Sequence, residues 1–387
     1  MMQKENRVAG NSVAYGAAEQ STPLVRPTTT SFPALFLSDE SYRKLKVLID
    51  QNVQKPFLDT GSLSSYEETR IKLNAIIQTI GEAVGHSGEV EHIKPVQELA
   101  DAILKYYESG RKEADRPEAV CVDISLLTNE ILKRYLKSKS SILIFHPISE
   151  NGAEYEHGHA SAAILADGWL VDPALQNEAI HYSHIVLDRH ADGYKPFYTR
   201  LKEKYSAVSG NPLFSNCVFV EFSQIKSDSE LQAFYLLENA VRMKAPANGT
   251  QEENDAFYLQ RDAAFIEAYK LDPGDYYAAI KAGDAYRHAE DTESARQAYV
   301  SAAANNTNLY LANAMAALGL SNLESPSATN DLLFANRLIH TAIEMAKKEG
   351  LHPAFAYRYL FEIAKRLGNE KEAEEAKALF DKLMEGR

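Results

Sequence analysis

The chain has 387 residues, 45% hydrophobic and 25% charged, with a formal net charge of -13. That length allows two or three domains with a sizeable core, and the acidic balance argues against a general role on nucleic acid or anionic membranes. Two cysteines, Cys121 and Cys217, are too few for a disulfide framework and point to a reducing compartment or a reactive thiol.

Residues 1–33 are polar and rich in Ser, Thr, Gly and Ala, with Thr28, Thr29, Thr30 and Ser31 between Pro27 and Pro33, which predicts a loosely ordered arm. The N-terminus lacks the compact apolar core of a secretory signal, and no run reaches membrane-span length. The expected location is therefore cytoplasmic, or outside the cell by a route that needs no cleavable leader. From Ser38 the pattern turns helical, with Ser38 or Asp39 as cap and Leu45, Val47 and Leu48 following. Ile71, Leu73, Ile76, Ile77 and Ile80 predict a second helix that weakens at Gly81 and Gly85. VQELADAILKYYESG predicts a third, stopping at Gly110.

The stretch 118–173 follows. Its opening, EAVCVDISLL, carries Cys121 and leads into Leu126, Leu127, Ile131 and Leu132 at helical spacing, a helix over residues 122–136. SILIFHPI, HASAAILA and GWLVDP then read as strands, with Asp167-Gly168 as a tight hairpin between the last two. HYSHIVLD and CVFVEF are further strand candidates. A helix followed by antiparallel strands is an α+β layout.

After Ser227, Ala, Glu, Tyr and Lys take over. Gly283, Tyr286, Ala295, Tyr299 and Ala302 match the offsets of a tetratricopeptide helix-turn-helix unit. Phe265, Ala268 and Pro273 repeat its back half 34 residues before Tyr299, Ala302 and Thr307. LFEIAKRLGNEKEAEEAKALFDKL predicts a degenerate further unit, and the helical stretches between could form a stretched repeat. The expected organisation is an arm (1–33), an α+β domain with a helical lead-in (34–227) and an all-α repeat domain (228–387).

A thiol, an imidazole and a carboxylate occur in the order Cys121, His159, Asp172, each at the edge of a different predicted element. A helix start favours a thiolate through its unpaired N–H groups, and the same groups can hold an oxyanion. A helix beginning instead at Asp115, with Pro117 in its first turn, would set Cys121 too deep for this. His159 lies 38 residues after Cys121, and Asp172 lies 13 further on. Folding back at Asp167-Gly168 would bring His159 and Asp172 together. They are eight and four residues from that turn, so a bulge or slant must absorb the imbalance. His159 would then serve as base and acid, with Asp172 fixing its tautomer.

Cys at a helix start, His-Ala opening a strand and Gly-Trp leading to Asp-Pro together resemble the transglutaminase-like cysteine superfamily, which is similar in plan to papain-type peptidases. Asp123 matches the Asp of a Gly-x-Cys-x-Asp context, and Trp169 matches the aromatic before the Asp. Ala119 stands where bacterial members have Gly, and Ser161 where an aromatic often follows the His. The resemblance covers roughly residues 116–175. It implies Cys121 as nucleophile, His159 as base and acid and Asp172 as orienter, in a peptidase, amidase, transglutaminase or deamidase. Fusion of such a domain to tetratricopeptide-like repeats is familiar among bacterial proteins.

The expected function is a thiol-dependent acyl-transfer enzyme that acts on an amide of a protein or peptide, without metal or cofactor, and whose repeats recruit a protein partner. Two readings compete with it. A binding scaffold would have lost the chemistry. A zinc site would draw on His157, His159, His181, His184 and Asp188, though their spacing is not that of a standard helical motif. Cys217, in an apolar strand, is expected to be core.

Overall fold

The computed structural model describes residues 35–54, 64–86, 92–149, 159–175, 178–188, 191–209, 217–307, 309–324 and 328–385. The expected N-terminal arm and His157 lie outside these residues. Three helices lead in: α1 (Asp39–Gln54), α2 (Ser65–Ala83) and α3 (Val96–Glu108). Two short strands, β1 (Gly85–His86) and β2 (Glu118–Ala119), pair in parallel and deliver the chain to α4 (Cys121–Tyr135). A five-stranded antiparallel sheet follows, formed by β3 (Ser141–Ser149), β4 (His159–Ile164), β5 (Trp169–Val171), β6 (Ile180–His181) and β7 (Cys217–Ile225). Its spatial order is β6-β5-β4-β3-β7.

Side-chain alternation gives the sheet two covered faces. Ile142, Ile144, Ala160, Ala162, Ile164, Trp169 and Val171 join the core built with α4 and the lead-in helices. Leu143, Phe145, Ala163 and Leu170 face the other way, onto Phe197, Leu201 and Tyr205 of α5 (Tyr194–Ser209). Helix α5 has no counterpart among the elements expected from sequence, although positions 194, 197, 201 and 205 follow the helical period.

The predicted strand HYSHIVLD is corrected: only Ile180 and His181 belong to β6. The chain leaves the sheet edge after Tyr182, and Ile185, Val186 and Leu187 pack against the α5 core instead. The apolar run thus serves burial rather than pairing. Pro147 is tolerated in β3 because β4 pairs only as far as Phe145, so at Pro147 the described neighbour is β7 alone.

The remainder is helical: α6 (Asp228–Arg242), α7 (Gln251–Leu271), α8 (Tyr276–His288), α9 (Thr292–Asn305), α10 (Tyr310–Ser321), α11 (Ala328–Lys348), α12 (Ala354–Arg366) and α13 (Glu370–Glu385). Each packs on the next. The best repeat unit falls on α8 and α9, capped by Asp275 and Asp291. Tyr299, fully buried, lies between two glycines. A Cβ on Gly283 or on Gly319 would meet a Tyr299 ring carbon at 2.4 Å, so both helices approach that ring only because they lack one there.

Helix α6 is shared. Leu231 and Phe234 join the core of the α+β region, while Ala233, Leu237 and Ala240 pack with α7 and α8. Its Asn239 side chain accepts from the backbone N–H of Ile93 at 2.8 Å, and Tyr235 donates to the Ile93 carbonyl at 3.2 Å. Ile148 of β3 in turn reaches into the helical core.

Candidate functional site

Cys121 is the first residue of α4, and Val120 before it is extended (φ -92°, ψ 167°). Residues Glu113–Asp115 form a separate 3-10 turn and Arg116 is extended, so the long helix does not begin at Asp115. The entry turn is held by Asp123, which is almost fully buried. Its Oδ2 accepts from Val120 N–H at 3.0 Å and its Oδ1 from Lys94 N–H at 2.8 Å. Burial pushes the Asp123 pKa up, and these two N–H groups oppose that rise. The acidic residue two positions after the cysteine thus shapes the turn that presents it. The Lys94 ammonium donates to the Glu118 carbonyl and ties down the segment just before it.

One turn further along α4, Ser125 Oγ donates to the Ala160 carbonyl at 2.8 Å. Residues four apart share a helix face, so this bond fixes the cysteine end of α4 beside the head of β4. His159 is the first residue of β4.

The hairpin explains how His159 meets Asp172. Ile164 pairs with Trp169 and Ala162 with Val171. Extending that register sets Asp172 beside Ser161, two residues from His159 and on the same face, a diagonal relation that a long side chain spans. The expected imbalance is taken up by a 3-10 turn, Leu165–Asp167, closed by Gly168 at φ +71°. Gly168 is required twice over. Its left-handed conformation disfavours a side chain, and a Cβ there would lie 2.0 Å from the Tyr182 carbonyl oxygen.

His159 Nε2 and Asp172 Oδ2 are 2.5 Å apart, with His159 4% and Asp172 1% exposed. Tyr205 Oη donates to the same carboxylate oxygen at 2.7 Å, and Ala174 N–H donates to Oδ1 at 3.1 Å. The imidazole is flanked by Phe145 and Tyr205, ring centroids 5.5 and 5.6 Å away. Burial disfavours the imidazolium. The Asp172 carboxylate and the charge and side-chain hydrogen bond of Cys121 outweigh it, and His159 is pushed up to about 10. With Nε2 engaged by Asp172, Nδ1 is the ring nitrogen left for the sulfur. Burial, with the Asp172 charge, raises the Tyr205 hydroxyl well above its ordinary value, so it remains a donor at neutral pH.

Hydrogen bonds thus join His159, Asp172 and Tyr205, and Cys121 acts on the same imidazole through its charge and a side-chain hydrogen bond. Tyr205 is the member that sequence reasoning missed; its signal was the helical spacing of α5. Ser161 replaces the aromatic expected two residues after the histidine. It is fully buried beside Tyr205 and hydrogen-bonds its hydroxyl. A small residue there leaves room for a ring to arrive from α5.

The remaining candidates go elsewhere. Trp169 is buried, with its ring centroid 5.1 Å from Tyr66 and 4.7 Å from His181, and it pins α2 to the sheet edge. His181 is thereby part of an aromatic cluster. Among the described residues, no three His, Cys, Asp or Glu side chains are grouped to hold a metal ion, His181, His184 and Asp188 included. Cys217 is buried at the start of β7, its sulfur 3.3 Å from Tyr198 Oη, and neither cysteine forms a disulfide. Among the described residues, no helix is long and apolar enough to cross a membrane.

Comparison with protein-family models, with curated proteins and with solved structures found no match for this chain.

Proposed function

We propose that this protein is a thiol-dependent acyl-transfer enzyme of the transglutaminase-like and papain-like plan, hydrolysing an amide in a protein or peptide. The observation that carries the reading is the hydrogen-bonded line Tyr205–Asp172–His159, ending at a cysteine on the first residue of a helix. Each link supports a role. The high proton affinity of His159 favours an imidazolium that has taken the thiol proton. Asp172 orients that ring and balances its charge. The first N–H groups of α4 have no acceptor within the helix and are of the kind that can donate to an oxyanion.

The Cys121 sulfur attacks the amide carbonyl carbon, and the carbonyl oxygen takes the negative charge. Collapse breaks the C–N bond as His159 gives its proton to the departing nitrogen, which leaves a thioester. Water then attacks the thioester carbon and gives a proton to His159. The C–S bond breaks, the acid leaves, and thiolate and imidazolium are restored. An amine in place of water would make the same site a transglutaminase; a glutamine side chain as substrate would make it a deamidase. Stacked helix pairs with one continuous apolar seam support a second role for the helical region, the recruitment of a protein partner. Two thiols outside any disulfide suit a cytoplasmic location.

Iodoacetamide labelling followed by peptide mapping tests the reading. Cys121 is expected to alkylate at least about a hundredfold faster than Cys217 at pH 7, and His159→Ala to remove that advantage. Equal, slow labelling of both thiols would end the enzymatic reading.

A further inference from the structure

A second concave site lies at the open edge of the sheet. A cavity of about 310 Å3 is lined by Tyr66 and Arg70 of α2, by Arg200 and Lys204 of α5, and by the strand-edge residues Glu178 to His181 and Ser183. None of Cys121, His159 and Asp172 lines it. Strand β5 separates the two places: Trp169 at its start stacks on Tyr66 of the cavity wall, while Asp172 follows its end.

The charges in the cavity run against the rest of the chain. The protein carries a net charge of -13, yet Arg70, Arg200 and Lys204 line this cavity with Glu178, and Glu67 pairs with Arg70 at its wall. Arg200 and Lys204 are four residues apart on one helix, where like charges repel. No ion pair joins either of them to another described residue; the Arg200 guanidinium instead lies 5.3 Å from the Tyr182 ring centroid. Arg70 approaches from the opposite wall. Its Nε and Nη2 are held by Glu67 at 3.0 and 2.9 Å, which fixes the guanidinium and leaves Nη1. Arg70 already has its carboxylate in Glu67, so it is the repulsion between Arg200 and Lys204 that a bound anion would relieve. With Glu67 on Arg70 counted beside Glu178, three cations face two carboxylates, and the excess of positive charge suits an oxyanion. Guanidinium forks match phosphate oxygens. The volume, at the small end for ligand pockets, suits a headgroup rather than a large molecule.

We propose that this cavity binds a small oxyanion of the phosphomonoester class, at a site separate from Cys121. The rings of Tyr66 and His181 would wall the part of the ligand beyond the phosphate.

Calorimetric titration of the full chain with phenyl phosphate at pH 8 and constant ionic strength tests this. Binding in about the millimolar range or tighter is expected. Acetate, a monoanion, is expected to bind about tenfold more weakly. The double variant Arg200→Ala, Lys204→Ala changes exposed side chains and should keep the fold. It is expected to lose at least about tenfold in affinity with unchanged Cys121 alkylation, whereas Lys195→Ala, on the same helix but outside the cavity, should match wild type. Binding that survives the double variant, or phenyl phosphate that binds no better than acetate, would overturn the proposal. Because alkylation of Cys121 is read separately, failure here leaves the acyl-transfer reading standing, and the reverse holds too.

Discussion

The α+β region buries a histidine, two aspartates and several hydroxyls, whereas the helical region buries alanine and glycine against tyrosine. In the first, the two buried carboxylates are held by specific partners: Asp123 by two backbone N–H groups, Asp172 by His159, Tyr205 and Ala174. In the second, Asp331 is a rare buried charge, paired with Arg296 at 2.7 Å, and the helices are organised by shape. Unsatisfied buried polar groups are costly, so a region that keeps several in contact is constrained beyond what packing requires. The contrast separates a region built on buried polar contacts from one built on close helix packing, and α6 couples them by lending a face to each.

The largest effect that would break this contrast comes from His159→Ala. It leaves Asp172 buried without its ring partner, so urea unfolding should show a loss of about 3–5 kcal/mol. Amide turnover should fall about 10²–10⁴-fold. A variant as stable as wild type would mean the pair is not held as described. The same group predicts a pH dependence. Its proton affinity is raised in the folded state, from 6.5 to about 10, so its contribution is fully present below about pH 6.5 and is lost as pH rises through about 10. The urea midpoint of the wild type should decline over that window more steeply than that of His159→Gln.

Gly168→Ala sets a Cβ against the Tyr182 carbonyl at positive φ and should cost about 2–4 kcal/mol, with slower Cys121 alkylation because the register of Asp172 shifts. Its counterpart in the helical region, Gly283→Ala, crowds the Tyr299 ring and should cost about 1–3 kcal/mol by thermal unfolding. Alkylation of Cys121 in that variant should match wild type; a slowed rate would show that the regions share more than α6. The smallest effect is Tyr205→Phe, which removes one donor from Asp172. A stability loss of about 1–3 kcal/mol is expected, with turnover reduced about tenfold and restored by no added nucleophile.

Much of this was legible in the chain. The lead-in helices, α4, β3 and β7 follow from apolar periodicity, and α8 and α9 from the small residues around Tyr299. Cys121, His159 and Asp172 were visible as an ordered set of chemical types at element edges. Two features were not. Helix α5 reads poorly because its buried face is made of tyrosine and phenylalanine set among lysines, which lowers the apolar contrast. The segment after β6 looked like a strand because β-branched residues that cover a core resemble those that pair.

Local sequence determined where helices start and turns close: Asp123 with Val120, Asp275 ahead of α8, Gly168 between β4 and β5. These choices involve neighbours a few residues apart, whose geometry the backbone itself dictates. Only tertiary packing decided that Tyr205 meets Asp172, that Ser125 clamps α4 to β4, and that Arg70, Arg200 and Lys204 face one cavity. Those contacts join residues 33 to 134 positions apart, and their energy depends on burial that no single segment possesses alone.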